Sequence, residues 1–392
     1  MPLTATGSRA LPPLYLAGFT TAFGAHGVAA VIGVEAGDLG LSLWSFGVIL
    51  ALYDVAEVIL KPVFGALSDR IGVRPVIVGG LIVFAIASAL AALHPTSLVV
   101  AAARFGQGAA AAAFSPASSS AAARLAGKGR LGRYFGRYGA WKSVGYAAGP
   151  LLGAGLVALA GLSALYIGLA MLAMLTAIWV LVAVPRLPVL PRPRYTLADL
   201  VRQTTDRAFL IPTLALATTT GLLGVAVGYL PLLLTHLGLA PIASVAAVAI
   251  IAIVSAVAQP VIGRMRDDDR VSVRAGVTAG LAAGAIALLL MVWTNPVGLY
   301  GAALLVGAAV GAVTPLAYAH LAATTPEERL GRTMGTAELG REIGDAGGPL
   351  LVGAIGAAAG VATGLGALAL VTVASAVVSS AALRARHPDG AA

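Results

Sequence analysis

Charged residues inside otherwise apolar stretches are the positions at which this sequence could carry out chemistry. Asp54, Glu57 and Lys61 follow one another at spacings of three and four residues, which places them on one stripe of a helix. Glu57 precedes Lys61 in the orientation that favours an ion pair. Lys142 is a further cation in an apolar segment. Carboxylates in such surroundings can exchange protons, and cations can pair with them or bind an anion.

A second charged stripe contains Glu338, Arg341, Glu342 and Asp345. Two interpretations stay open for both stripes. In one, at least one carboxylate carries a proton or contacts a substrate, with Asp54 and Glu342 as the first candidates and Asp345 as the third. In the other, the charges form fixed ion pairs that stabilise one conformation. In either case these side chains cannot face lipid.

The elements that carry these charges are predicted to be membrane-spanning helices. Hydrophobic residues make up 59% of the chain and charged residues 10%, and the mean hydropathy is +0.94, whereas a soluble domain has about 25% charged residues. A span requires roughly 20 apolar residues. The sequence therefore predicts an all-α membrane protein with twelve transmembrane helices. The predicted spans are 12–35, 44–66, 74–93, 96–119, 134–159, 162–184, 208–234, 241–263, 272–293, 296–321, 332–357 and 361–383. Turns are predicted near Gly161 and Gly360, because no charged residue separates the flanking spans there.

The composition also argues against several functions. The chain has no cysteine, and its five histidines are scattered without ligand spacing, so no metal site is expected. It has no G-x-x-x-x-G-K-[ST] sequence, and the run Ser118-Ser119-Ser120 lacks a nearby His or Asp, so neither ATP use nor an enzyme activity is expected. No cleavable signal peptide is expected. We expect no cofactor, with a proton gradient as the source of energy.

The placement of basic residues predicts the orientation in the membrane. Loops that follow even-numbered spans hold Lys and Arg, and loops that follow odd-numbered spans hold none. Both termini are therefore predicted to be cytoplasmic, in a multi-pass protein of the plasma (inner) membrane. The net charge of +9 is then a topology signal with some attraction to anionic lipid, and no nucleic-acid partner is expected. Residues 185–207 are predicted to be a cytoplasmic linker between six-helix bundles at 1–184 and 208–392.

The two halves resemble each other at an offset of 198 or 199 residues. The segment Lys61-Pro62-Val63-Phe64-Gly65 recurs as Gln259-Pro260-Val261-Ile262-Gly263. Matched halves are typical of transporters that bind substrate between them near the bilayer midplane. Of the intramembrane charges, only Lys142 and Arg341 match in sign at equivalent positions. The fold itself therefore does not require the carboxylates.

The segment Gly65-Ala66-Leu67-Ser68-Asp69-Arg70-Ile71-Gly72-Val73-Arg74 resembles the loop motif G-x-L-a-D-r-x-G-r-k of the major facilitator superfamily. The resemblance extends over essentially the whole chain. It implies two pseudo-symmetric six-helix bundles, in which helix 2 meets helix 11 and helix 5 meets helix 8. It also implies that the motif latches the outward-facing state. The motif residues that carry over are Gly65, Asp69, Arg70, Gly72 and Arg74. Val73 replaces a usual basic residue, and the second copy, after the eighth span, is expected to be degraded.

The fourth span contains Arg104-Phe105-Gly106-Gln107-Gly108, which is similar to the R-x-x-q-G motif of the same family. The resemblance implies that Arg104 takes part in proton coupling, although such an arginine can equally bond backbone carbonyls. His26, in the first span, could carry a proton or remain neutral and bonded to a carbonyl.

The fifth span resembles the antiporter motif of the twelve-helix drug:proton branch of the family, through the glycine spacing that includes Gly145, Gly149 and Pro150. The resemblance implies a closely packed helix that prevents leak and favours exchange. A second copy, with Gly344, Gly348 and Pro349, makes the motif a weaker marker of efflux.

Three functions remain open on these observations. The leading hypothesis is proton-coupled efflux of a small organic compound or drug by alternating access. An alternative is a proton symporter that takes up an organic anion or zwitterion through its intramembrane cations. A third, of another class, is a lipid flippase or a membrane receptor that transports nothing. The expected partners are a small-molecule substrate, protons and the lipid bilayer, with the protein as a monomer.

Overall fold

The computed structural model describes residues 5–35, 39–189, 202 and 205–383, and they are mostly helical. Two short 3-10 turns, Lys128–Arg130 and Glu327–Arg329, precede the fifth and eleventh helices at equivalent points of the repeat. The helices are α1 (Ala5–Val34), α2 (Leu43–Ile71), α3 (Val73–Leu93), α4 (Ser97–Ala126), a long stretch (Leu131–Ala183) that contains α5 and α6, α7 (Arg207–His236), α8 (Pro241–Asp267), α9 (Val273–Val292), α10 (Pro296–Thr324), α11 (Leu330–Ala359) and α12 (Val361–Ala382).

The long stretch is divided by non-helical backbone at Ala160 and Gly161, which separates α5 (131–159) from α6 (162–183). Gly161 has φ 77°, and Gly360, between α11 and α12, has φ 89°. Glycine adopts such positive values without a steric penalty. The two turns predicted from uncharged sequence are confirmed at these glycines.

Nine helical segments of the described chain are long and apolar enough to cross a membrane, and one of them is the stretch that holds both α5 and α6. The other two long helices, α2 and α11, are those that carry the charged stripes. Twelve spans result, so the predicted fold class is confirmed. The second and fourth predicted spans end too early, at 66 and 119, because α2 continues to Ile71 and α4 to Ala126. Helices can continue beyond the hydrocarbon layer, where polar residues are tolerated.

Successive spans alternate in direction, so α1 begins and α12 ends at the same face of the molecule. Tyr15 in α1 stacks on Tyr134 at the start of α5, with ring centroids 5.3 Å apart. Arg274 at the start of α9 donates a hydrogen bond to Ser380 near the end of α12. We call this face the terminal face and the other the opposite face. That the terminal face is cytoplasmic stays a prediction.

Each half has its own buried core. The first core includes Phe84, Phe114 and Tyr166, and the second includes Leu222, Leu288 and Leu299. The first core also reaches into the second half through residues such as Tyr318 and Met334 in α10 and α11. The domain boundaries 1–184, 185–207 and 208–392 stay a prediction, since linker residues 190–201 and 203–204, as well as 384–392, lie outside the described residues.

Candidate functional site

The halves meet along two interfaces, α2 against α11 and α5 against α8, which we call the charged and the neutral interface. At the terminal face of the charged interface, the Asp69 carboxylate accepts hydrogen bonds from the backbone N–H groups of Gly331 (2.7 Å) and Arg332 (2.8 Å). Gly65 lies so close to Gly331 that a side chain would collide with the Gly331 carbonyl. A carboxylate at a helix N-terminus satisfies free amides and complements the helix dipole. We call this contact a clasp.

The neutral interface has the same clasp. The Asp267 carboxylate accepts hydrogen bonds from the N–H groups of Gly132 (2.8 Å) and Arg133 (2.7 Å), and Gly263 packs against Gly132. The second copy of the loop motif is degraded only beyond Asp267, where Arg270 stands in place of Gly72. Gly263 and Asp267 keep the four-residue spacing of the first copy, and these two residues are enough to form the contact.

The other loop-motif residues lie beside the first clasp. Gly72 has φ 97° and forms the turn into α3. Arg74 donates a hydrogen bond to the backbone carbonyl of Leu181, which ties α3 to α6 within the first half. Arg70 is exposed at the end of α2. Gly65 and Asp69 are thus the motif residues that form the contact with the second half.

Behind the first clasp, Lys61 lies at the centre of three carboxylates. Its Nζ is 2.7 Å from Glu342 Oε1, 3.1 Å from Glu57 Oε2 and 3.7 Å from Glu338 Oε2. Lys61 is 1% exposed, and Glu57 and Glu338 are also buried. The middle parts of the two predicted stripes, which hold these four residues, therefore face each other across the charged interface. An ammonium group in such surroundings is stabilised only by its partners.

Glu338 also joins α11 to α4. Its carboxylate accepts hydrogen bonds from Ser115 Oγ (2.8 Å) and Ser119 Oγ (3.3 Å). These serines were not predicted as partners of Glu338. A signal was present in the serine-rich end of α4, because hydroxyl groups inside an apolar helix require hydrogen-bond partners.

The neutral interface replaces this ionic contact with an uncharged one. Gln259, the repeat equivalent of Lys61, donates a hydrogen bond of 2.8 Å from Nε2 to Ser143 Oγ. Ser143 is the repeat equivalent of Glu342. Equivalent pairs of residues therefore meet at both interfaces, with charge on one side and only amide and hydroxyl groups on the other.

A cavity of about 460 Å³ lies between the halves, next to these contacts. It begins near Arg341 and Ser255, at mid-helix, and extends past Pro150 and Pro349 toward the opposite face. The clasps lie between the cavity and the terminal face. The cavity is lined by His26, Ser143, Tyr146, Ala147, Pro150, Thr220, Leu223, Gly224, Val227, Gly228, Val248, Ile251, Ala252, Ser255, Arg341, Asp345 and Pro349.

The floor of the cavity carries two cations. Lys142 and Arg341 both line a small recess of about 30 Å³ directly beneath it, and the recess shares Ser143 and Tyr146 with the cavity above. A guanidinium N–H of Arg341 donates to the Tyr146 hydroxyl. The Tyr146 ring packs against the His26 ring with centroids 4.4 Å apart. Tyr146 thus connects α1, α5 and α11, a role that its sequence position alone did not reveal.

The remaining predicted site residues differ in their surroundings. Asp345 lines the cavity, and it forms no hydrogen bond or ion pair within the described chain. Asp54 is exposed and also lacks such a partner among described residues; it lies on the Lys61 stripe but lines neither the cavity nor the recess. Arg104 is buried, with its guanidinium carbon 4.4 Å from the centre of the Tyr53 ring, and it lines neither the cavity nor the recess.

The glycines of the predicted antiporter motif pack α5 against α1 within the first half. A side chain at Gly149 would lie 2.8 Å from the Phe23 carbonyl oxygen, and one at Gly145 would lie 2.8 Å from that of Phe19. In the second half, Gly348 packs in the same way on Gly221 of α7. Both copies therefore perform the same close packing, which lets helices approach in a membrane.

The sequence model of the Major Facilitator Superfamily matches residues 14–268 and 247–392 of this chain. The chain therefore belongs to the Major Facilitator Superfamily, as its motifs indicated. It is a multi-pass membrane protein of a family of transporters. In the described part of the chain, no three His, Asp or Glu residues are placed so that they could hold a metal ion.

Parts of the chain are similar to curated transporters. It is 36% identical over 127 residues to the class C tetracycline resistance protein of Escherichia coli, which is 32% of each chain. It is 41% identical over 75 residues to the inner membrane transport protein YajR of Escherichia coli (strain K12), which is 19% of this chain and 16% of that protein. The matched segments thus span about a third of these relatives' length or less.

Two solved structures share the fold over nearly the whole chain. The human organic anion transporter MFSD10 (TETRAN) superposes with a TM-score of 0.73 at 19% identity, covering 96% of this chain and 98% of that one. The transporter FucP, in the outward conformation, superposes with a TM-score of 0.76 at 14% identity, covering 95% and 99%. At these identities the likeness concerns the fold alone.

Proposed function

We propose that this protein is a secondary antiporter that exports a small organic compound in exchange for protons. The observation that carries the proposal is the cavity between the halves, with the unpaired carboxylate of Asp345 in its wall. A cavity that is open to one face and closed by clasps at the other is the arrangement that alternating access requires. The similarity to a tetracycline resistance protein supports export of a drug-like compound.

The charge balance of the site supports proton coupling. Glu57, Glu338 and Glu342 surround Lys61, and Arg341 lies 4.0 Å from Glu342. Among the groups within 4.0 Å of one another, three carboxylates meet two cations, which leaves one negative charge in excess; Lys142 lies outside ion-pair distance of all three carboxylates. Burial of an uncompensated charge is unfavourable, so one proton on the group would restore neutrality.

Asp345 and Asp54 are the carboxylates that a proton from the open face would reach first. Glu342 is held by Lys61 and Arg341 in this conformation, whereas Asp345 and Asp54 have no ion-pair partner in the described chain. We assign the opposite face to the outside, from the basic loops at the terminal face. Protonation from outside, followed by opening of the clasps, would deliver the proton to the cytoplasm.

Proteoliposomes with an imposed pH difference test the proposal, with tetracycline as the probe and protein-free liposomes as the background. An antiporter accumulates the probe in the more acidic compartment, and a symporter does so in the more alkaline one, whichever way the protein is inserted. Asp345→Asn and Asp54→Asn should abolish accumulation but keep probe exchange without a gradient. Glu327→Gln, at an exposed carboxylate beyond the cavity, is the matched control. Probe movement that ignores the gradient would contradict proton coupling.

A further inference from the structure

Lys142 is a buried cation that lies outside the ion-pair cluster around Lys61. It is 5% exposed, yet no carboxylate in the described chain lies within 4.0 Å of its ammonium group and no hydrogen-bond acceptor contacts it. Its nearest aromatic neighbour is the Tyr138 ring, whose centre is 5.9 Å from Nζ. Lys61, in the same bilayer layer, has three carboxylate partners. An ammonium group that is withdrawn from water and unpaired is costly, so Lys142 is suited to bind an anion that comes from outside the chain.

Arg341 faces the same recess from the other half. Its Nη2 bonds the neutral Tyr146 hydroxyl, and its Nε is buried without a hydrogen-bond partner. The nearest carboxylate, Glu342, is 4.0 Å away and is held more closely by Lys61. Arg341 therefore retains unused donors at the floor of the cavity.

Lys142 and Arg341 are also the pair of intramembrane charges that the internal repeat retains. An anion between them would contact each half through an equivalent helix, α5 or α11. It would also remove the repulsion between two like charges that must approach each other when the cavity closes. We infer that Lys142, from the first half, and Arg341, from the second, form an anion site that binds the acidic group of the transported compound. This inference rests on the proposed export function.

The walls above the floor define the rest of the ligand. Leu223, Val227, Val248 and Ile251 line the cavity above Arg341, and its volume of about 460 Å³ lies in the usual range for a drug-sized ligand. The substrate class is therefore an amphipathic organic anion, with one acidic group at the floor and an apolar or aromatic body toward the open face.

Calorimetric titration of the full-length protein in detergent tests this inference with three probes that share one fluorophore. Dansylglycine is the anion, dansylamide the neutral analogue and dansylcadaverine the cation. Dansylglycine should bind more tightly than the other two. Lys142→Gln and Arg341→Gln should each weaken its binding by at least about thirtyfold, because each removes one partner of a buried ion pair. Lys142→Arg should retain most of the affinity.

The controls separate loss of the site from loss of the fold. Binding of dansylamide should change little in both glutamine variants, and Arg264→Gln, at an exposed cation on the terminal face, should not affect dansylglycine. Equal binding of the anion and the amide, no binding of the anion, or full affinity in Lys142→Gln would overturn the inference. The titration involves no gradient, so it can fail while the liposome assay still shows proton exchange, and the reverse also holds.

Discussion

The charged and the neutral interface close the terminal face in the same way and differ in the middle of the membrane. Both have a carboxylate that accepts two backbone N–H groups at 2.7–2.8 Å, and both have a glycine pair beneath it. One helical turn or two further in, Lys61 meets three carboxylates, whereas Gln259 meets a serine. Both interfaces thus keep the clasp, whereas the contact between the halves at mid-membrane forms with charged residues at one interface and with neutral residues at the other.

This difference indicates that the two interfaces have different roles when the halves part. At mid-membrane the Gln259–Ser143 contact of the neutral interface can part and re-form without separating an ion pair, and the ion pairs between Arg133 and Asp267 or Asp268 lie at its terminal end. Parting of the charged interface separates Lys61 from Glu338 and Glu342 and leaves Glu57, on its own helix, as its partner. Each opening of the terminal face therefore leaves Glu338 without its cation and Glu342 with Arg341 alone, which couples conformation to protonation.

The largest expected difference between the interfaces follows from substitution at their equivalent centres. Lys61→Met leaves three carboxylates without their ammonium group, and we expect the free energy of unfolding to fall by about 3–5 kcal/mol. Gln259→Met removes one neutral hydrogen bond and should cost about 1–2 kcal/mol. Denaturant unfolding in mixed micelles measures both. Equal losses would show that the ionic centre is no more important to stability than its neutral counterpart.

Much of this comparison could be predicted from the sequence. Periodicity and hydropathy gave the twelve spans, and the spacing of Asp54, Glu57 and Lys61 predicted that they share one face. The internal repeat predicted that Lys61 and Gln259 are equivalent. These inferences succeed because a helix fixes which residues share a face and a bilayer fixes how long a span must be.

The partners across the interfaces could not be predicted in the same way. The i,i+4 spacing predicted the Glu57–Lys61 pair, which does form at 3.1 Å, but Glu342 lies closer to Lys61 at 2.7 Å. Glu342 is 281 residues away in sequence, and its contact depends on how α11 packs on α2. The serines of α4 that bind Glu338 were missed for the same reason, since helix register is set by side-chain shape along the whole contact.

An intermediate effect is expected where the two interfaces are alike. Asp69→Asn and Asp267→Asn each weaken a charge-assisted bond to two backbone amides and should each favour opening of the terminal face by about 1–2 kcal/mol. Because the chain has no cysteine, a single Met334→Cys, at a fully buried position behind that face, can report opening through its rate of labelling by a water-soluble thiol reagent. We expect that rate to rise by about tenfold in both variants.

The two clasp variants are each other's control. Their hydrogen-bond lengths match, but Arg133 also pairs with Asp267, at 4.0 Å, and with Asp268 across the neutral interface. A large effect of Asp69→Asn beside no effect of Asp267→Asn would therefore mean that the pair of Arg133 with Asp268 holds this interface without the second clasp. Glu327→Gln, at an exposed carboxylate of the same face, should leave the labelling rate unchanged.

The smallest effect is expected at Glu57, the one carboxylate of the cluster that lies on the same helix as Lys61. One of its oxygens is buried without a hydrogen-bond partner, and Lys61 keeps Glu342 and Glu338 when Glu57 is neutralised. Glu57→Gln also removes the excess negative charge of the group. The stability of this closed form should therefore fall by less than about 1 kcal/mol, because the lost attraction is offset by a smaller desolvation penalty.

Glu57→Gln should nevertheless slow transport more than Ser255→Ala, the change at the equivalent position of the neutral interface. Ser255 donates to the Ala252 carbonyl of its own helix, at 3.1 Å, and among the described residues it makes no hydrogen bond to the first half. Glu57 is the partner left to Lys61 once the terminal face opens, so its loss destabilises the open form selectively. Unfolding measurements and proteoliposome transport rates on both variants separate the two effects. A Glu57→Gln protein that loses stability but transports at the normal rate would mean that Lys61 does not transfer to Glu57 when the charged interface parts.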